Sequence, residues 1–418
     1  MSGNRVVVIG AGFAGIEVAR GLGRAGIPVT LIDRQNHHLF QPLLYQVATA
    51  ALSPADIAEP VRKVLRGLPS VEVVLGGVTG VDKTARTVML KSGDKISYDY
   101  LVVATGATHS YFGHDEWAPF APGLKTIEDA RDIRSHLLLA FEKAEMSHDP
   151  AEQKRLMTIA VIGGGPTGVE LAGSIAELAR YTLAKDFHRI RAETATVLLV
   201  EAGPRILTAF PQSLSDYATR KLAKIGVTLR LNTPVERITA GSITAEGEEI
   251  SVGVAIWAAG VMASPLGRLL GVPLDRAGRV TVNSDLSVPG LQNIYVLGDL
   301  ASTPDANGKP LPGLAQVAKQ EGIYLGRALV KKIRTGASSP PFIFHNRGNT
   351  AIIGRNAAVF DFGWSQFSGW LAWWLWALIH VYLLVGFQHR LMVAIQWAWR
   401  YITYQTGSRL IAEGTTEE

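Results

Sequence analysis

The chain has 418 residues, enough for more than one domain, with 47% hydrophobic and 18% charged residues. It contains no cysteine, which excludes a disulfide framework, a thiolate metal site and a redox-active dithiol. A formal net charge of +5, with no basic block and no series of stacking aromatics, argues against nucleic acid and only mildly for an anionic surface such as a membrane.

The first element, RVVVIG from Arg5, is a short β-branched run of the kind found in a strand buried on both faces. It leaves no room ahead of it for a signal peptide, so this part of the protein is expected on the cytoplasmic side. GAGFAG follows, with Gly10, Gly12 and Gly15 at G-x-G-x-x-G spacing and Phe13 and Ala14 between them. Such a loop turns tightly, lets a pyrophosphate approach the backbone, and opens a helix, here IEVARGLGRAG, whose N-terminal N–H groups face the phosphates. The next strand, PVTLID, ends in Asp33, 18 residues after Gly15 and followed by Arg34. A carboxylate there can accept both hydrogen bonds of an adenosine ribose diol.

The same grammar returns further on. MTIAVIG is a strand, Gly163, Gly165 and Gly168 keep the spacing, and PTGVELAGSIAELARYTL reads as a helix. ATVLLVE ends in Glu201, 33 residues after Gly168, which is longer than the usual interval of about 20. The surplus, AKDFHRIRAET, is expected as a helix extension or loop. Glu201 would repel a 2′-phosphate, so the second loop favours NADH over NADPH. Two apolar strands end in small-residue turns: YDYLVVATGA, with Thr105 and Gly106, and VAIWAAGV, with Gly260. LQNIYVLGDLA ends at Gly298–Asp299. Asp299 could bond a polyol such as a ribityl chain; the plainer alternative is a cap for the following helix.

This order resembles the two-dinucleotide-binding-domain flavoproteins. That resemblance implies an α/β fold of two Rossmann-like domains, the NAD domain inserted in the FAD domain, and hydride transfer from NADH to FAD. Many relatives pass electrons on through a thiolate, which this chain lacks. Ferredoxin- and rubredoxin-type reductases need none and remain possible soluble alternatives, with an apolar dimerisation tail.

The C-terminal region separates the possibilities. Trp370 to Phe387 is an 18-residue apolar run broken strongly only by His380, at the lower limit for a membrane span. Leu391 to Tyr404 reads as an amphipathic helix. Seven of the nine tryptophans lie at or after Trp364, and Arg390, Arg400 and Arg409 could meet anionic lipid. Two helices lying in one leaflet are therefore favoured over a span, with His380 at the interface. A buried core or dimer helix is the competing reading. A membrane-attached, cysteine-free flavoprotein needs a lipid-soluble acceptor such as a quinone. In GLAQVAKQEG, Gln316 and Gln320 stand i, i+4 on one helix face and could bond a quinone carbonyl without changing charge; two solvated glutamines are the alternative.

DRQNHHLFQPLLYQVATAALSP, GGGPTGVELAG, VLGDLA, AQVAKQEG and the tail beginning NTAIIGRNAAVFDF together resemble the type II NADH dehydrogenases, single-subunit NADH:quinone oxidoreductases that do not pump protons. The resemblance implies non-covalent FAD at Gly10, Gly12, Phe13, Ala14, Gly15, Asp33, Arg34, Val78, Thr105, Gly106, Asp299, Ala315 and Gln316. It implies NADH as substrate at Gly163, Gly165, Gly168, Glu170, Glu201 and Gly260. Glu170 would lie near the contact of nicotinamide and flavin, and Gln316 and Gln320 at the quinone entrance. Hydride would pass to flavin N5, then two electrons to a membrane quinone. The expected domains are 1–115 and 256–335 for FAD, 116–255 for NADH, and 336–418 for strands and anchoring helices. The expected place is the cytoplasmic face of the cell membrane, peripheral or monotopic, with a homodimer as one arrangement. His37 and His38 are adjacent and cannot easily face one ion, so they are read as packing or flavin-edge residues, and no metal site is expected.

Overall fold

The computed structural model describes residues 4–384, 387–403 and 408–411. The chain forms two compact units, one from residues 1–39, 58–108 and 261–347, the other from 40–57, 109–260 and 348–418.

The first unit is built on a parallel sheet in the order Ile294–Val296, Tyr100–Val103, Val6–Ile9, Val29–Asp33, Val71–Leu75. Every residue of Val6–Ile9 is buried, as a central strand covered on both faces requires. Helix Phe13–Arg24 follows the first glycine loop, and helix Ala315–Thr335 packs on it. Glycines let the two backbones touch. A Cβ on Gly322 would sit 2.3 Å from the Ala14 carbonyl oxygen, and one on Gly21 would sit 3.2 Å from Gly326 Cα. Val78–Asp82, Thr87–Leu90 and Lys95–Ser97 add a small antiparallel sheet.

The second unit repeats the plan with a parallel sheet ordered Val227–Arg230, Thr196–Val200, Thr158–Ile162, Val254–Trp257. The helix after its glycine loop is α-helical over Pro166–Glu177, then loosens to a π turn at Leu178–Thr182 and tightens to a 3-10 turn at Leu183–Lys185. The surplus before Glu201 is thus a set of irregular turns. Strands Asn349–Gly354, Ala357–Asp361 and Gln366–Gly369 form an antiparallel sheet whose first strand lies on this helix. At Gly173 a Cβ would meet the Ile353 carbonyl oxygen at 1.9 Å.

The compact units divide the chain differently from the cofactor segments expected above. Helix Leu44–Ala48 packs on Ile127–Met146 and Pro166–Glu177, which draws 40–57 into the second unit. The strand lying on Pro166–Glu177 brings in residues from 348 onward.

Within the apolar run near the C-terminus, the described helix is too short to cross a bilayer. Helix Trp370–Leu383 has 14 residues, about 21 Å at 1.5 Å per residue, against a hydrocarbon core of about 30 Å. No helix among the described residues is long and apolar enough to cross a membrane. Phe387–Thr403 forms the second tail helix. The expected end of that helix, Tyr404, lies outside the described residues.

Candidate functional site

The two glycine loops have nearly the same local geometry. Gly10 and Gly163 adopt φ of +102° and +113°, where a side chain would be strained. A Cβ on Gly10 would press to 2.4 Å from the Ala104 carbonyl oxygen; one on Gly163 would press to 2.6 Å from the Ala258 carbonyl carbon. Thus the turns carrying Thr105–Gly106 and Gly260 each lie against one loop. Cβ atoms on Gly15 and Gly168 would each fall 1.8 Å from the carbonyl oxygen of the loop's first glycine. Gly12 and Gly165 instead face open space, and each begins its helix with no side-chain cap. The free N–H groups of both helix ends are therefore available to an anion.

The acid at the end of each second strand is tied to its loop. Asp33 accepts the Ala11 N–H at 2.5 Å and the Gln35 N–H at 2.8 Å. Glu201 accepts the Gly164 N–H at 2.6 Å and the Gly203 N–H at 2.7 Å. Each carboxylate fixes a loop and keeps further lone pairs for a diol. His38 is buried, and its Nδ1–H donates to the Ala11 carbonyl at 2.8 Å, while the ring packs edge-on against Phe13 at 5.3 Å. Burial pulls its pKa below the usual value. The packing role expected for the histidine pair falls on His38; His37 is half-exposed, its Nδ1 3.1 Å from Asn36 Oδ1.

Residues expected around FAD fit such a group. Thr105 Oγ1 is buried and has no hydrogen-bond partner among the described residues. Among the described residues no protein donor reaches the Asp299 carboxylate, although Gly313 lies close enough that a Cβ there would sit 3.2 Å from Oδ1. Asp299 does not cap the long helix: it sits in the 3-10 turn Gly298–Leu300, and that helix begins after Leu314. Val78 begins an edge strand paired with Leu90, and Arg34 follows Asp33 on the surface beyond the sheet. Gln316 and Gln320 share a helix face as expected, but the protein itself holds them. Gln320 exchanges two hydrogen bonds with the His345 backbone, at 2.9 and 3.0 Å, and Gln316 Oε1 accepts the Arg347 N–H at 3.1 Å.

In the second unit, Glu170 lies one turn into helix Pro166–Glu177. Close packing raises its carboxyl to about 8, opposed by a long 3.4 Å hydrogen bond from the Ile352 N–H. It is therefore protonated near neutral pH. The Gly260 carbonyl accepts the Ser110 N–H at 3.2 Å, and Phe112 and Ser110 fill the space where a Cβ would stand.

The tail corrects one expectation. His380 is not at an interface: it is 8% exposed, stacked on Trp376 at 4.3 Å, and donates from Nδ1 to the Trp376 carbonyl at 2.8 Å. Burial lowers it to about 4, so it stays neutral. The described basic side chains have protein partners: Arg409 pairs with Asp186, and Arg390 bonds the Leu384 carbonyl and lies over Tyr382. The side chain of Arg400 lies outside the described residues. The second tail helix also turns Gln396 and the Trp397 N–H inward. Gln396 donates to Asp56 Oδ1 and Trp397 to Gln46 Oε1, whereas Leu391, Met392, Ile395 and Trp399 point outward and are 45–59% exposed.

Sequence reasoning passed over Glu321, although it lies in the quoted AQVAKQEG. It is 1% exposed, accepting the Gly298 N–H at 2.6 Å and the Thr303 Oγ1–H at 2.7 Å. An acid next to a glycine at a tight helix crossing was the available signal.

Comparison with known proteins covers nearly the whole chain. Residues 4–322 match the pyridine nucleotide-disulphide oxidoreductase family, and residues 346–404 match the NDH2 C-terminal domain. The chain is similar to two Mycobacterium tuberculosis proteins, the type II NADH:quinone oxidoreductases Ndh and NdhA. Identity is 41% and 42%, covering 98% of this chain and 90% and 89% of theirs. The solved structure of NDH2 from Plasmodium falciparum in complex with NADH has the same fold, with a TM-score of 0.90 at 22% identity, covering 98% of this chain and all of that one. Two matched glycine loops, a cysteine-free α/β fold and a likeness that runs through the tail place the chain in the type II NADH:quinone oxidoreductase family.

Proposed function

We propose that the chain oxidises NADH at the expense of a membrane quinone, without pumping protons. Family membership over 98% of the chain carries this reading, because the relatives bear that activity in their names. It does not favour a soluble carrier-protein reductase, since the likeness continues through the tail. Bound FAD would supply a two-electron carrier between hydride donor and quinone.

The protein's own residues position and bind. The loop at Gly10, Gly12 and Gly15, with Asp33, Thr105 and Asp299, is assigned to FAD. The loop at Gly163, Gly165 and Gly168, with Glu201 and Gly260, is assigned to NADH. Each uncapped helix end receives a pyrophosphate, and each strand-end acid receives a ribose diol. Glu170, holding its proton near neutral pH, offers a hydrogen-bond donor beside the nicotinamide without adding charge. Gln316 and Gln320, fixed by residues 345–347, border the quinone path with their remaining valences.

The outward apolar residues of the tail are assigned to one leaflet at the cytoplasmic face. Trp370, Trp374, Tyr382 and Trp399 are all more than half or half exposed, a composition suited to headgroup depth. Anaerobic stopped-flow tests the reaction: NADH should bleach the flavin and a short-chain quinone should restore its colour at the rate of turnover. Loss of reoxidation alone would remove the quinone. Vesicle flotation tests the tail, because replacing Leu391, Ile395 and Trp399 by serine should leave the protein in the aqueous fraction.

A further inference from the structure

Asp33 accepts a backbone N–H from Ala11, Glu201 from Gly164 and Glu321 from Gly298, each at 2.5–2.6 Å, and each holds a glycine-containing turn. The first two stand at strand ends where a ribose is expected. Glu321 stands on a helix and is sealed from solvent.

Its base cannot move. The next residue, Gly322, meets the Ala14 carbonyl so closely that a Cβ would lie 2.3 Å away, and Gly326 meets the same helix one turn on. Glu321 is thereby fixed against the helix that opens from the first glycine loop. From there its two oxygens reach both sides of the turn Gly298–Leu300, one to Gly298 and the other to Thr303. Gly298 adopts φ +67° with Ala318 and Ala14 beside it, so the turn is wedged as well as bonded. Two donors converge on one side chain, and only a carboxyl head offers two acceptor oxygens there. Burying that head is costly, and the neighbouring charge of Asp299 raises the cost. A link serving packing alone would be better made with apolar atoms.

We infer that Glu321 is a positioning residue for the flavin: it locks the turn carrying Asp299 to the helix that carries the first glycine loop. The two halves of the FAD site, far apart in sequence, then keep a single geometry. This inference rests on the assignment of FAD to this unit. The lock survives protonation. Burial raises the carboxyl to about 7, and a protonated Oε1 can donate to Thr303 Oγ1 while Oε2 still accepts from Gly298.

The test uses the purified holoenzyme as wild type, Glu321→Gln, Glu321→Leu and Thr303→Val, reading the FAD dissociation constant and the visible circular dichroism of the bound flavin. Glu321→Leu should weaken FAD binding at least tenfold and change the flavin dichroism. Glu321→Gln keeps one acceptor and should recover most of the affinity, and Thr303→Val should lose a few-fold. Wild-type affinity and dichroism in Glu321→Leu would overturn the inference, and so would a Glu321→Gln no better than Glu321→Leu. Should Glu321→Leu not fold, unchanged affinity and dichroism in both Glu321→Gln and Thr303→Val would overturn it equally. A wild type that binds no FAD would instead remove the cofactor assignment itself.

Discussion

The glycine loops at Gly10–Gly15 and Gly163–Gly168 share a backbone but not a closure. In each, the residue after the first glycine gives its N–H to the strand-end acid, Asp33 or Glu201. The carbonyl of that same residue is held differently. Ala11 receives the ring N–H of His38, a side chain from the neighbouring segment. Gly164 receives the backbone N–H of Leu207 at 2.7 Å, from the chain just beyond Glu201. Leu207 adopts φ +51° to deliver it, a conformation that costs a non-glycine residue about 1–2 kcal/mol. One closure can thus be removed by substitution and titrates with pH. The other is built into the main chain and does neither. Loops that look interchangeable in sequence should respond unequally to the same perturbation.

The harshest way to break the comparison is to crowd both loops. Gly15→Ala and Gly168→Ala each place a methyl 1.8 Å from a carbonyl oxygen, so each should cost about 3 kcal/mol or more. Thermal unfolding of the flavin-free proteins should show similar losses, while the ligands separate them: Gly15→Ala should be purified without flavin, and Gly168→Ala should keep flavin but fail to be reduced by NADH.

Glu170 differs from its positional counterpart Glu17, which pairs with Arg20 at 2.7 Å. The folded pKa of Glu170 lies above its unfolded one, so the protonated form is favoured by folding. Stability is then greatest below pH 4.5 and falls as pH rises toward about 8. Glu170→Gln should remove that loss, stabilising the protein above pH 8 by roughly 2 kcal/mol, less than full burial would give because the residue keeps some solvent contact. Denaturant unfolding at pH 5 and pH 9 measures it, and an equal effect at both would exclude the titration.

His38→Ala should leave the Ala11 carbonyl buried without its donor, at a cost of roughly 1–3 kcal/mol, and should weaken FAD retention without changing the KM for NADH. Here the sign with pH is opposite. The folded pKa lies below the unfolded value of 6.5, so the contribution of His38 is complete above 6.5 and is lost as pH falls through it. His380, lowered to about 4, adds to the same window, and a His38→Ala variant whose stability falls as steeply as wild type from pH 6.5 to 4 would contradict the titration of His38.

The smallest effect belongs to coenzyme choice. Glu201→Arg should narrow the preference for NADH over NADPH by about tenfold, near 1.4 kcal/mol, read from kcat/KM for the two coenzymes. Because Glu201 also holds Gly164 and Gly203, part of the change should appear as a higher KM for both.

Local pattern determined much of this protein. Buried β-branched strands, glycine spacing and strand-end acids are statements about neighbouring residues, and both parallel sheets and both loop geometries followed from them. The tail pattern likewise pointed away from a span. What local pattern could not supply was the partner of each polar group. That Gln316 and Gln320 bond residues 345–347, and that the second tail helix turns Gln396 inward to Asp56, depend on contacts between distant segments. Glu321 shows the limit best. In sequence it is an acid on a helix, ordinarily solvated. Only a helix crossing close enough to exclude every side chain but glycine brings it to Gly298 and Thr303, and makes a buried charge worth keeping.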